Sequence, residues 1–420
     1  MSEVKKSVWP AIIVVGTVGS FIGGNQVRLH QDLGTVPKEP ASFNVASIEV
    51  PSDSPRSIPE GEYFYQLTLL LERDFVDPVT DEKKLAYGAI KGMIGGLWDP
   101  LSQYLPQDHF REQEAKLKGE FAGIGVEVRL DYNANELEKV RSNSHSADPL
   151  MLLPNLYAAF VAPGGPAEKA GIHPGDRITQ VNGRWLLSWS DVKKLRDMQA
   201  QVTAGKLPPE EFRKARIEIQ QKAKDSMTVG RALDLLTSGT NKTITVAWSS
   251  ASGAGHASVT SALTKVPAVV TEPDGTLNLR LFQGASDELA RKIENSPGPL
   301  TLDLKNSSLG DPREIAKVLS VLAPEGKFGE FVPEKGGQAK TLLTTSGTKS
   351  PRKLTIVADE TTRGAAEVVA VSLTGTSGAE LVGKLNPSEA VWIDTVRLGD
   401  GSGYTLNTGK FKALSKGSAN

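Results

Sequence analysis

A twenty-residue run at positions 164–183, GGPAEKAGIHPGDRITQVNG, constrains the local fold more tightly than any other part of the chain. Within it, Pro166 to Gly171 predict a short helix that a glycine ends, and residues 173–176 predict a tight turn. Residues 178–181 then predict a strand, which an Asn-Gly pair closes. This succession of a helix, a turn and a strand indicates a small β-rich domain.

The β-rich domain extends to both sides of this run, over residues 120–248. Upstream, residues 121–128 read FAGIGVEV, which predicts a glycine loop that leads into an alternating strand. After Trp189, at about residues 190–227, two charged helical patterns flank a Gly-Lys-Leu-Pro-Pro turn, so we expect an inserted helical hairpin. A hairpin with this much charge is typical of a solvated surface, and contact with a partner is the alternative.

The regions that flank the β-rich domain have other patterns. Residues 61–119 carry apolar residues at three- and four-residue spacing, among them Leu67, Leu70 and Leu71, and predict a helical region. Residues 249–420 alternate strand and helix patterns, which predict a mixed α/β domain.

The N-terminal residues have the features of a membrane anchor. Lys5 and Lys6 precede an apolar stretch from about Val8 to Gly24, whose length is at the short end of what spans a bilayer. The two lysines favour a cytoplasmic N-terminus, and no convincing signal-peptidase site follows the stretch. We therefore expect an anchor at residues 1–24, with a buried N-terminal strand or helix as the alternative. Residues 25–60, rich in Pro and Ser, predict an extended tether.

Composition excludes several kinds of function. The 48 Lys and Arg residues balance 49 Asp and Glu residues, so there is no net positive field to attract nucleic acid. The chain has no cysteine, which rules out disulfides, thiolate metal sites and cysteine nucleophiles. Its five histidines lie far apart without an HExxH motif, so we expect no metal site and no cofactor.

From residue 61 onward the chain resembles the C-terminal processing peptidases, or tail-specific proteases, which carry a PDZ domain. Four passages support the resemblance in the right order: KLAYGAIKGMIGGLWDPLSQYLP, GEFAGIGVEV, the run at 164–183, and GPLTLDLKNSSLGDPREIAKVL. It implies a fold of class α/β plus α+β: an N-terminal transmembrane helix, a helical region, a PDZ-like β domain and a mixed α/β protease-like core.

Family members use a serine–lysine dyad, and the resemblance implies where each residue would lie. Counting back from Glu367, the serine position falls on Gly364, and the lysine position, 25 residues further on, falls on Glu389. Neither residue can take the expected role, because Ser–Lys catalysis needs an oxygen nucleophile and an amine base. The oxyanion region, often Asn-Pro-Gly-Gly in the family, reads Asn306-Ser307-Ser308-Leu309-Gly310.

These replacements lead us to expect a protein that is not an enzyme and has no catalytic residues. The family's peptide-binding loop falls on Gly123, Ile124, Gly125 and Val126, where backbone N–H groups would hold a peptide carboxylate. We expect a single-pass inner-membrane protein, with its soluble part in the periplasm or elsewhere outside the cytoplasm. It would bind proteins or peptide C-termini as a scaffold or as a subunit of an envelope complex. The alternative is an active periplasmic serine endopeptidase with another dyad, for which Ser372, Ser388 and Lys384 are the nearest candidates.

Overall fold

The chain divides into two compact units, residues 1–96 and residues 97–420. The computed structural model describes residues 60–77, 82–142, 146–294, 298–307, 310–332, 341–348, 352–387 and 390–414. The predicted anchor at 1–24 lies outside these ranges, as does the tether apart from residue 60. Among the helices within these ranges, none combines the length and the apolar character needed to cross a bilayer.

In the first unit, the structure describes the two helices that the apolar spacing predicts. They are α1 (Glu60–Asp74) and α2 (Glu82–Gly95). On α1, Leu67, Leu70 and Leu71 are solvent-exposed.

The second unit begins with a small region that leads into the PDZ-like domain. Its elements are β1 (Gln103–Leu105), α3 (Gln107–Lys116), β2 (Glu120–Phe121), β3 (Val126–Asp131), α4 (Ala134–Arg141), a 3-10 turn (Pro149–Leu152) and β4 (Asn155–Val161). They continue with α5 (Pro166–Lys169), β5 (Arg177–Val181), β6 (Arg184–Trp185), α6 (Trp189–Thr203), α7 (Pro209–Lys224), α8 (Val229–Thr237), β7 (Thr243–Ser250), β8 (Gly253–Thr260) and β9 (Thr264–Lys265). Helices α6 and α7 form the hairpin that the charge pattern predicts.

The sheet of the PDZ-like domain is antiparallel, in the order β3-β4-β5-β7-β8, with β6 added to β5. Apolar residues of this sheet and of α8 form a core of their own, which includes Ile124, Ile178, Ala232 and Leu236. Strand β3 is therefore an edge strand within the described residues, and α8 packs beside it. Such an edge leaves backbone N–H and C=O groups available for another strand.

The remaining elements form the α/β core. They are β10 (Val269–Thr271), β11 (Leu277–Leu279), α9 (Ala285–Glu294), β12 (Leu300–Asp303), α10 (Pro312–Leu322), β13 (Gly326–Val332) and β14 (Thr341–Thr345). The last are β15 (Leu354–Ala358), α11 (Ala365–Gly375), β16 (Glu380–Gly383), β17 (Val391–Arg397) and β18 (Gly403–Ala413).

Two sheets enclose the last long helix of the core. One sheet has the order β10-β11-β12-β15-β16 and is parallel from β11 onward. The other is antiparallel, with β18 paired to β1, β13 and β17. Helix α11 contacts strands of both sheets, and most of its residues are buried, which fits its apolar character on all sides.

A buried carboxylate joins α9 to α10. Glu314 near the start of α10 accepts hydrogen bonds from the backbone N–H and the hydroxyl of Ser286, at 3.1 and 2.9 Å. Burial opposes ionisation of Glu314, but its bonds to Lys317 and Ser286 outweigh this and lower its pKa. The carboxylate thus stays charged where it satisfies the otherwise unpaired N–H of a helix start.

Candidate functional site

The position that the resemblance gives to the serine lies in a sharp turn between β15 and α11. Gly364 is the N-cap residue of α11, with φ 57° and ψ −127°. A side chain is strained at such angles, although strained strand-to-helix turns present the nucleophile in α/β-hydrolases. The backbone of the turn therefore has the form of a catalytic elbow, while its central residue has no side chain.

Two hydroxyl groups beside Gly364 stabilise this turn. The Thr361 hydroxyl donates to Asp359 at 2.5 Å and accepts from the Asn306 N–H at 2.7 Å. The Thr362 hydroxyl donates to the Leu304 carbonyl at 3.0 Å. Both hydroxyls are thus engaged in bonds that fix the loop.

The predicted oxyanion loop joins the turn to the PDZ-like domain. The Asn306 side chain donates to the carbonyl of Val161 at 2.9 Å and accepts from its N–H at 3.1 Å. On the other side, the Arg363 N–H donates to the Ser307 carbonyl at 2.9 Å. Asn306 therefore links the end of β4 to the elbow, a role that its place in the sequence did not indicate.

Gly310 closes this loop against the start of α11. An added Cβ at Gly310 would lie 2.8 Å from the Cβ atoms of both Ala365 and Leu281. Gly310 is the one glycine of the family pattern that this chain retains. Because it has no side chain, the loop can approach α11 closely.

The other residues considered for a dyad are not brought together at this turn. Glu389 and Ser388 lie outside the described residues. Ser372 is fully buried within α11, and Lys384 is exposed beyond β16. A hydroxyl with no access to solvent cannot meet a peptide substrate, so Ser372 is not a nucleophile in this structure.

The glycine loop that the sequence assigns to peptide binding lies between β2 and β3, against the end of α8. All of Gly123, Ile124, Gly125 and Val126 are buried. The N–H of Gly123 donates to the Gly239 carbonyl, and the N–H of Ile124 donates to the Leu236 carbonyl, both at 2.9 Å. The end of α8 and the residues directly after it therefore already occupy two of the N–H groups that were predicted to hold a carboxylate.

The other two N–H groups of the loop differ in their surroundings. The Gly125 N–H makes only a long bond of 3.4 Å to the Ala122 carbonyl. Ala162 donates to the Gly125 carbonyl at 2.8 Å, which makes Val126 and Val161 a non-hydrogen-bonded pair of the β3–β4 ladder. The Val126 N–H therefore points away from β4, toward the open edge of β3.

Beside this open edge, α8 packs against β3, and we refer to the strip between the two elements as the groove and to β3 and α8 as its walls. Val128 and Leu130 of β3 and Val229 and Leu233 of α8 are partly buried apolar residues that pack on the core of the PDZ-like domain. The sequence indicated the glycine loop but not these four residues. Among the described residues, no cluster of His, Asp or Glu side chains could hold a metal ion.

Comparisons with known proteins agree with this architecture. Residues 159–201 match the PDZ domain family. The carboxy-terminal processing protease CtpA of Bacillus subtilis is 24% identical over 332 residues, which cover 79% of this chain and 61% of that protein. CtpB of the same organism is 23% identical over 405 residues, covering 96% and 73%. This chain thus spans less than two thirds of the length of CtpA.

One further relative and one solved structure are also similar to this chain. A probable CtpA-like serine protease of Staphylococcus aureus is 34% identical over 104 residues, 25% of this chain and 17% of that protein. The photosystem II D1 C-terminal processing protease has the same fold, with a TM-score of 0.53 at 17% identity over 86% of this chain and 93% of its own.

These relatives correct one expectation. The residue replacements at the dyad positions led to the prediction that the chain is not an enzyme, and that prediction is wrong as it stands. The named relatives are processing proteases and a probable serine protease, which points to an enzyme, and nothing among them supports inactivity. Replacements counted along a sequence do not establish the loss of a function. With a PDZ domain at residues 159–201 and a protease-like core, the chain is similar to the C-terminal processing proteases over most of its length.

Proposed function

We propose that this chain recognises extended peptide segments, and protein C-termini in particular, as the substrate-recognition part of a C-terminal processing peptidase. The observation that carries the proposal is the open edge of β3 beside the apolar wall of α8. PDZ domains bind peptides by this addition of a strand, in which backbone bonds supply affinity and side-chain pockets supply specificity.

The amides at the start of β3 suit a terminal carboxylate. The Val126 N–H faces the open edge. The Gly125 N–H makes only a long hydrogen bond to the Ala122 carbonyl, so little is lost when it bonds to a carboxylate instead. Hydrogen bonds to an ionised acceptor are about twice as strong as neutral ones, so a carboxylate would displace the Ala122 carbonyl from Gly125. A peptide held there would run along β3 and place its apolar side chains against Val128 and Leu233.

A charge placed in the groove tests this proposal. In a Leu233→Asp variant, the new carboxylate lies on the wall where an apolar peptide side chain would pack, so binding would leave it desolvated. We expect wild-type protein to bind C-terminal peptides with micromolar affinity, and the variant to bind at least about tenfold more weakly. Isothermal titration calorimetry with a C-terminal peptide library measures both.

The matched control is Ile217→Asp, which puts the same charge on an exposed apolar residue of α7. Its affinity should equal that of the wild type. If Ile217→Asp weakens binding and Leu233→Asp does not, the peptide site is the inserted hairpin and the proposal fails.

We also propose that residues 1–24 anchor the protein in the inner membrane, with the rest of the chain outside the cytoplasm. Support comes from Lys5 and Lys6 before an apolar stretch. Mass spectrometry of the protein from washed membranes should find peptides from residues 1–24. A mature N-terminus near residue 25 would contradict the anchor. Membership of an envelope complex stays a prediction, which a pull-down from solubilised membranes tests.

A further inference from the structure

One helix outside the PDZ-like sheet contacts both walls of the groove. Along α3, His109, Glu112 and Lys116 are spaced at i, i+3 and i+7, which puts them on one face of the helix. The three residues contact groups on α8 and on β3. The opposite face of α3 contacts the core.

Two of the contacts reach the α8 wall. The His109 Nε2 atom lies 3.2 Å from the Asp234 carboxylate in the middle of α8. The Ser238 hydroxyl, just after the last turn of α8, donates to the Glu112 carboxylate at 2.9 Å. One contact lies in the C-terminal half of α8 and the other directly after it, beside the glycine loop.

The third contact reaches the β3 wall. The Lys116 Nζ atom lies 2.6 Å from the Glu127 carboxylate, and only 11% and 21% of the two side chains are exposed. Glu127 follows Val126, whose N–H faces the open edge. A largely buried ion pair therefore holds the strand at the place where a peptide would end.

The other face of α3 is fixed to the antiparallel sheet of the core. The Phe110 side chain is buried, and its ring contacts Gly403 of β18 so closely that an added Cβ there would lie 2.2 Å from it. Arg397 of β17 stacks over the same ring at 5.0 Å and forms an ion pair with Glu114. This anchorage gives α3 a fixed position from which to hold the two walls.

We infer that α3 sets the separation of the groove walls, and that Lys116 and Glu127 are positioning residues which determine peptide affinity without touching the peptide. The inference rests on the proposed function, because it concerns the same groove. Its physical basis is that an extended peptide must bond to β3 and pack on α8 at once. A wall displaced by about 1 Å therefore loses one set of contacts.

Variants of Lys116 and Glu127 distinguish a positioning role of this ion pair from direct contact with the peptide. Lys116→Met and Glu127→Gln should each weaken peptide binding at least about tenfold, since each leaves a largely buried charge without its partner. The double variant Lys116→Glu/Glu127→Lys restores an ion pair of the opposite polarity and should return the affinity to within about threefold of the wild type. The control is Arg111→Met, which removes an exposed charge of α3 whose partner is Asp108 in the same helix, and it should bind as the wild type does.

Calorimetry with one C-terminal peptide gives the affinities, and thermal unfolding by circular dichroism verifies that each variant is folded. If Lys116 instead contacted the peptide carboxylate directly, Glu127→Gln would tighten binding and the reversed pair would stay weak. That result would overturn the inference, as would unchanged affinity in both single variants. A wild-type protein that binds no peptide would refute the proposed function itself.

The α8 wall supplies a second, independent pair of variants in case the ion-pair variants do not fold. Glu112→Gln keeps an acceptor for the Ser238 hydroxyl and should retain affinity, whereas Glu112→Leu removes the acceptor and should weaken binding. Equal affinity in these two variants would contradict a positioning role for α3.

Discussion

Replacing Gly123 by alanine should destabilise the protein by about 2 to 5 kcal/mol, because the new methyl group meets both backbone strain and a collision. Gly123 has φ +69°, and an added Cβ would lie 2.2 Å from the Leu236 carbonyl oxygen and 2.7 Å from the Thr237 Cα atom. These are backbone atoms of α8 that cannot turn aside as a side chain would. The variant should also lose peptide binding, since relief of the collision moves α8 away from the loop.

Gly164→Ala is the matched control, because Gly164 has nearly the same φ of +73° but no atom within 4 Å of an added Cβ. Alanine at this position meets only backbone strain. Part of that strain is offset because alanine has less conformational entropy than glycine in the unfolded chain, which stabilises the folded state. We therefore expect a loss of about 1 kcal/mol or less. Chemical denaturation of both variants measures the difference, and equal losses would show that the loop does not pack on α8 as described.

Phe160→Ala should cost about 3 to 5 kcal/mol of stability, the usual range for removal of a fully buried phenylalanine. Phe160 belongs to β4 of the PDZ-like domain, yet its ring lies 4.8 Å from Phe121 and 6.2 Å from Phe282 in the core cluster. Because this residue is shared, we expect the wild-type PDZ-like domain and core to unfold together in one calorimetric transition. In the variant the transition should move to lower temperature.

A control for Phe160→Ala is Phe75→Ala, which truncates an exposed phenylalanine and should change stability by less than about 0.5 kcal/mol. A loss below about 1 kcal/mol for Phe160→Ala would mean that the cavity collapses or that the ring is not packed between the aromatic neighbours. Either outcome would contradict the account of this junction.

Local residue chemistry made several elements predictable from the sequence. The glycine that ends the predicted helix at Gly171 has φ +87°, and the Asn-Gly pair after β5 has positive φ at both residues. These conformations are easy for glycine and tolerated by asparagine, so the residue types themselves indicate the turns. The same holds for the start of α10 (Pro312–Leu322), where Asp311 is the N-cap residue and proline occupies the first helical position.

Long-range pairing limited what the sequence could predict. The antiparallel sheet around α11 was not predicted, because β1 and β18 pair across about 300 residues and no local pattern specifies such a partner. The elbow shows the same limit. Counting from Glu367 located Gly364, but only the structure revealed its φ of 57°, the engaged hydroxyl groups beside it and the bond from Asn306 to Val161.

The sequence by itself determined the order of the elements, the PDZ-like run and the position of the glycine loop, because each depends on residues close together in the chain. The tertiary structure decided which amides of that loop remain for a ligand, since α8 and the residues directly after it accept bonds from two of them and the ladder with β4 directs the Val126 N–H outward. It also brought α3 into contact with both α8 and β3. Hydrogen bonds and ion pairs form between groups that folding brings within about 3 Å, whatever their separation in sequence.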